Sequence, residues 1–270
     1  MEIFNVNHQL SAYLPIIFFI FGAFLGSFFN VIIHRIPNGK SIIHPASSCP
    51  HCHQPIKPYD NIPILSYLIL RGKCRHCDAK ISWRYPFVEL LSGFLFVWCY
   101  YYVGLNLQLI PAIMLISMML VITFIDIDKL IIPDKITFPG MLLGLSFSFL
   151  PGGLSIGESV IGLVVGGVIL YLIALFGSMA FKKDAMGGGD IKLAAVIGAF
   201  LGWQGVLITL ILSSLVGSLI GIFIIALSSN DNQQKSHTIP YGPFLALGSI
   251  IALFFGNDLI RWYADYLRGF

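Results

Sequence analysis

Long apolar runs separated by short polar connections set the rhythm of this chain, and their lengths predict membrane-crossing helices. The runs fall at roughly Tyr13–Ile33, Pro86–Val103, Leu107–Ile125, Ile136–Leu150, Glu158–Phe181, Asp190–Leu201, Val206–Ala226 and Phe244–Arg261. The expected fold is an all-α polytopic membrane protein with about eight transmembrane helices. The first run has no basic residue before it and is too long for the core of a removable signal peptide, so it reads as a retained span. The stretch 34–85 is different, because it is polar and cysteine-bearing. It predicts a small cytoplasmic domain inserted between helices 1 and 2. The expected organisation is therefore an outer N-terminus and first helix over 1–33, the inserted domain over 34–85, and a transmembrane core over 86–270.

Composition agrees with the pattern. Of 270 residues, 57% are hydrophobic and only 11% charged, far from the usage of soluble domains. The net charge of +3 is small, and no basic stripe with interleaved aromatics appears, so nucleic acid is not an expected partner. Charge distribution says more than its sum. Eight of the sixteen Lys and Arg residues lie between His34 and Tyr85, and basic connections are retained in the cytoplasm. Threading outward from there places Lys129, Lys135, Lys182, Lys183, Lys192 and Lys235 on the same side, and both termini outside. Membrane lipid is the surrounding medium on this reading, and oligomeric state is not legible.

That threading also gathers Asp126, Asp128, Asp134 and Asp190 at the cytoplasmic boundary, although the acids took no part in assigning it. Asp190 follows Gly187-Gly188-Gly189, whose missing side chains let backbone approach closely. Asp126 closes the apolar run Met118–Ile125 and sits deeper than Asp128, which has Lys129 beside it. Asp126 and Asp190 are accordingly the expected catalytic pair. Two neighbouring carboxylates resist ionising together, so one serves as base toward water while the other donates a proton. For Asp134 and Asp184 helix capping is the better reading. The runs beginning at Asp190 and Ile136 are short for a span of ~20 residues, and local thinning there would admit water.

The second chemical signal is Cys49-Pro-His-Cys52, twenty-one residues, then Cys74-Arg-His-Cys77. Paired Cys-x-x-Cys knuckles supply the four thiolates that structural zinc favours, which makes Cys49, Cys52, Cys74 and Cys77 the expected metal ligands. Redox-active pairs or unmetallated packing are the alternatives. Gly72 suits the tight turn before the second knuckle. His51, His53 and His76 are spare in a four-cysteine site, and Cys99 reads as a small buried side chain. One pattern misleads: Gly153-Leu-Ser155-Ile-Gly157 matches the serine-hydrolase Gly-x-Ser-x-Gly, yet no strand precedes it and it lies in a Pro-Gly turn. Gly162 and Gly166, four apart, point to helix packing.

The residues resemble a known family, the bacterial type IV prepilin peptidases, placed with the GxGD intramembrane aspartyl proteases. The resemblance rests on Gly26-Ser27-Phe-Phe-Asn30 through His34-Arg35-Ile-Pro37, the two cysteine pairs, Asp60-Asn61-Ile-Pro63, Arg84-Tyr85-Pro86-Phe-Val-Glu89, Ile125-Asp126 with Pro133-Asp134, and Gly187–Asp190. It implies that Asp126 and Asp190 are the catalytic acids. It also implies cleavage of the basic leader of prepilins or type II secretion pseudopilins at the cytoplasmic face of the bacterial inner membrane. Methylation of the new N-terminus would follow, with S-adenosylmethionine as methyl donor. No dinucleotide-type glycine fingerprint marks the donor site. Asn30, His34, Arg35 and Glu89 either line it or anchor helices at the interface. The competing class is a cation- or proton-coupled transporter, which also uses intramembrane carboxylates. It would need deeper acids and an inverted repeat.

Overall fold

The computed structural model describes residues 2–182, 186–228 and 239–268. Among them the only regular elements are helices: α1 (Glu2–Arg35), a 3-10 turn (Pro58–Asn61), α2 (Leu65–Ile69), α3 (Arg84–Val103), α4 (Leu109–Lys129), α5 (Asp134–Phe147), α6 (Ile156–Phe181), α7 (Gly188–Ser228) and α8 (Gly242–Arg268). Six of them are long and apolar enough to cross a membrane, namely α1, α3, α4, α6, α7 and α8. Of the eight expected segments, one is a short helix and two are the arms of one long element. Ile136–Leu150 is the short α5, with 14 residues. Asp190–Leu201 and Val206–Ala226 are two arms of α7, divided at Gly202, whose φ of 71° and ψ of 179° are not helical. Glycine tolerates that backbone without a Cβ penalty.

Helix ends follow local chemistry. Ser155 and Glu158 form a capping box at the start of α6, each satisfying a backbone amide of the other. Gly104, at φ 79°, stops α3, and Leu130, at φ 54°, stops α4 and hands the chain to the extended Pro133. The serine of the misleading hydrolase motif is thus a helix cap.

The chain forms two compact units, 1–109 and 110–270. In the first, α1 packs along α3. Gly22 and Gly26 of α1 face Gly93, Ser92 and Glu89 so closely that an added methyl would overlap backbone. The Ser92 hydroxyl donates across the helix pair to the Gly22 carbonyl at 2.8 Å. In the second unit a core of Leu115, Met119, Ile122, Leu193, Ile197, Val206 and Leu245 ties α4, α7 and α8 together. There α6 and α7 meet backbone to backbone, with Gly162 against Gly198 and Gly166 against Ala194, the small-residue packing expected between helices in lipid.

Candidate active site and four-cysteine cluster

Asp126 lies in the last turn of α4, below the buried run that ends at Ile125, and is itself only 5% exposed. Asp128, two residues on, is exposed, so helical periodicity turns one acid inward and the other out. Asp190 is half-buried in the first turn of α7. Asp190 lies within Coulombic range of the Asp126 carboxylate, although 64 residues separate them (190 − 126). Both belong to the second compact unit.

The glycine triplet divides its work. An added Cβ on Gly189 would stand 2.8 Å from that of Ile132, so Gly189 lets the linker after α4 press against the start of α7. The contact joins the chain just after Asp126 to the residue before Asp190. The Gly187 carbonyl accepts the Asp190 amide at 3.2 Å, and Gly188 faces open space. Asp134 pairs with Lys192 at 2.6 Å, joining the starts of α5 and α7. It holds the frame of the site, as a helix-terminal acid should. Asp184, Lys183 and Lys235 lie outside the described residues.

A group that the sequence reading passed over completes the geometry. Gly242, the first residue of α8, donates its amide to Asp126 Oδ2 at 2.9 Å. The only sequence signal for it is the punctuation Pro240-Tyr241-Gly242-Pro243, which marks a turn at a helix start.

In the first unit, the four sulfurs of Cys49, Cys52, Cys74 and Cys77 all lie within 4.8 Å of one another. Cys49 and Cys77 are 3.8 Å apart, and Cys52 and Cys74 are 4.0 Å apart. A tetrahedral ion with metal–sulfur bonds of about 2.3 Å requires sulfur separations of about 3.8 Å, so the cluster fits a four-thiolate metal ion. The two knuckles are built alike. The amides of His53 and Asp78 close each turn onto the carbonyls of Cys49 and Cys74, and both residues adopt positive φ. Backbone amides of Cys52 and His51 lower the Cys49 thiol to about 6. At Cys77 the Ala79 amide acts likewise, but desolvation and the neighbouring sulfurs outweigh it and push that thiol up to about 12. Arg75 grips the Asp60 carboxylate with its guanidinium, Nε reaching Oδ2 at 2.8 Å, and holds that acid below its ordinary value. His51, His53 and His76 are exposed, and Cys99 is fully buried.

The four donor-site candidates separate. Asn30 is buried and donates to the Tyr85 carbonyl at 3.1 Å, holding α1 to the start of α3. Glu89 is buried and accepts the Ile64 amide at 2.7 Å. Ile64 has a positive φ of 64°, unusual for a β-branched residue, and Glu89 secures it. His34 is exposed. Arg35 lines a cavity of about 380 Å³ bounded by Phe24, Ser27, Phe28, Ile43 and Asn61.

Fold and site define a class first: a multi-pass membrane protein with a carboxylate pair inside a helical bundle and a four-cysteine cluster between its first two membrane helices in the chain. Residues 20–103 match the bacterial peptidase A24 N-terminal domain, and residues 113–222 match the type IV leader peptidase family. The chain belongs to the type IV leader peptidase family, a family of aspartic proteases. It is 40% identical to the prepilin leader peptidase/N-methyltransferase of Aeromonas hydrophila, over 91% of this chain and 92% of that protein. The proteins of the same name from Legionella pneumophila and Pseudomonas aeruginosa are each 34% identical. The first alignment covers 92% of this chain and 93% of the relative, the second 91% of each. No solved structure gives a significant match.

Proposed function

We propose that this chain is a prepilin leader peptidase/N-methyltransferase that cuts its substrate with Asp126 and Asp190. The observation that carries the reading is a deeply buried carboxylate within electrostatic reach of a second one, on helices from distant parts of the sequence. Relatives bearing that name over nearly the whole chain support it, and nothing supports the transporter alternative.

In the mechanism, one ionised carboxylate of the pair takes a proton from water as the oxygen attacks the scissile carbonyl. The other, protonated, hydrogen-bonds the carbonyl oxygen. Collapse of the tetrahedral adduct breaks the carbon–nitrogen bond, and a proton passes to the departing amine. One water is consumed, one amine and one carboxylate are released, and the pair again holds one shared proton. The exposed glycines ahead of Asp190 leave backbone room for an extended strand.

Substrates on this reading are type IV prepilins and type II secretion pseudopilins. Their leaders are basic and stay inside while the apolar stem enters the bilayer. The clustered Lys and Arg of the connections support placing this site at the cytoplasmic face of the bacterial inner membrane. We assign 1–33 to the outer terminus and first helix, 34–85 to the cysteine domain and 86–270 to the peptidase core. Zinc is the ion of choice for Cys49, Cys52, Cys74 and Cys77, and with no open position its role is structural. S-adenosylmethionine, when bound, supplies an electrophilic methyl group to the new terminal amine. Of the four donor-site candidates, Arg35 borders a cavity whose volume of about 380 Å³ falls in the ~300–1,000 Å³ range of small-molecule sites. Asn30 and Glu89 serve as anchors.

The test is mass spectrometry of a prepilin incubated with purified enzyme, with and without S-adenosylmethionine. The parent yields one cut, and one added methyl only with the donor. Asp126→Asn and Asp190→Asn each abolish the cut in a folded protein, and substantial cleavage by either removes the pair from the mechanism.

A further inference from the structure

Asp126 does not stand alone on its helix. Its Oδ2 accepts the Gly242 amide at 2.9 Å, and Gly242 opens a 27-residue helix, so the carboxylate meets the positive end of that helix. Contact is so close that a Cβ built on Gly242 would lie 2.6 Å from Oδ2 and 3.2 Å from the carboxyl carbon. No side chain fits there while Asp126 stays in place. The turn that presents the amide is held from behind. Tyr241 sends its hydroxyl to Ser213 of α7 at 2.8 Å, and Ser213 is fully buried. The Tyr241 carbonyl accepts the amides of Phe244 and Leu245 at 3.0 and 3.2 Å, closing the first turn of α8. A continuous line of contacts thus runs from α7 through Tyr241 and Gly242 to the acid on α4.

We propose that Gly242 is a positioning residue of the peptidase, and that Tyr241 fixes it. The amide engages Oδ2 and so directs Oδ1 toward Asp190 and the water. The absent side chain is part of the device, because a methyl at 242 drives the carboxylate back by up to 0.8 Å, from 2.6 Å to the 3.4 Å of ordinary contact. A misplacement of about 1 Å at a reacting group can lower a rate about 100-fold. The inference rests on the aspartyl-peptidase reading of Asp126, and the experiment separates the two.

Leader cleavage is measured for the parent and for Asp126→Asn, Gly242→Ala, Tyr241→Phe and Gly256→Ala, with thermal unfolding in detergent for each. Gly256 lies in the same helix, and a methyl there meets nothing closer than 3.6 Å, so this variant keeps parental kcat. Gly242→Ala lowers kcat about 10- to 100-fold with KM within about 3-fold of the parent. Tyr241→Phe lowers kcat by a smaller factor, about 3- to 10-fold, again with KM held. If Asp126→Asn still cleaves, the reading of the acid pair fails and the proposal with it. If Asp126→Asn is inactive while Gly242→Ala keeps parental kcat, or changes KM alone, positioning by Gly242 is overturned and the pair stands. Should Gly242→Ala fail to fold, Tyr241→Phe decides: a selective loss of kcat supports the device, and parental kcat overturns it.

Discussion

Glu89 shows how a single side chain fixes a strained backbone. Its carboxylate holds the Ile64 amide at 2.7 Å, and Ile64 sits at positive φ, a conformation costing ~1–3 kcal/mol where the surroundings do not enforce it. Glu89→Ala leaves that amide without its partner and lowers the stability of the first unit by about 1–3 kcal/mol. Glu89→Gln keeps an acceptor oxygen and loses less. Chemical denaturation of the two variants, with hydrogen exchange at Ile64, checks the order. The sequence left Glu89 between a donor-site role and an anchoring one. The structure accounts for it through a partner 25 residues upstream. Asp126 was legible: burial follows from its place at the end of a hydrophobic stretch, and depth separated it from Asp128. Gly242 was not legible as part of the site. It acts through an amide that every non-proline residue carries, and a glycine beside two prolines reads as an ordinary turn.

Helix packing in the second unit depends on side chains that are missing. Gly162 and Gly198 bring α6 and α7 into backbone contact. In lipid such approach replaces the hydrophobic drive that assembles soluble helices. A methyl on Gly198 overlaps the Gly162 carbonyl, and Gly198→Ala destabilises the bundle by about 1–3 kcal/mol. Gly167→Ala, whose methyl would meet Ala195 at 3.6 Å, changes stability little. Unfolding in mixed detergent micelles reads the difference. Gly162 and Gly166 were readable as a packing pair from their spacing alone, but their partners on α7 were not, since spacing says nothing about which helix lies opposite. Hydrophobicity likewise located every long helix. It also separated the two arms of α7 at the break that Gly202 makes, but it counted Ile136–Leu150 among the spans, because apolar content reports burial in lipid or protein alike.

At the scale of the molecule, two compact units carry two chemistries: the cysteine cluster lies in residues 1–109 and the acid pair in 110–270. The cluster was the easiest feature to read, since two Cys-x-x-Cys pairs specify both ligand number and turn geometry. A four-thiolate ion contributes folding free energy directly. Stripping it with a strong chelator opens 36–83 to limited proteolysis while helices α4 to α6 remain protected. Acid works in the same direction, because protons compete for the thiolates. Fragment masses identify which unit is cut, and equal susceptibility of both would contradict separate folding units.

The capping box at Ser155 has a consequence for how this protein is found. Its hydroxyl donates to Glu158 Oε2 at 2.8 Å and accepts the Glu158 amide, with no imidazole hydrogen-bonded to it among the described residues, so it has no activated oxygen to offer an organophosphorus reagent. Surveys that enrich hydrolases by serine labelling will therefore pass over this molecule, despite a pattern in its sequence that invites the label.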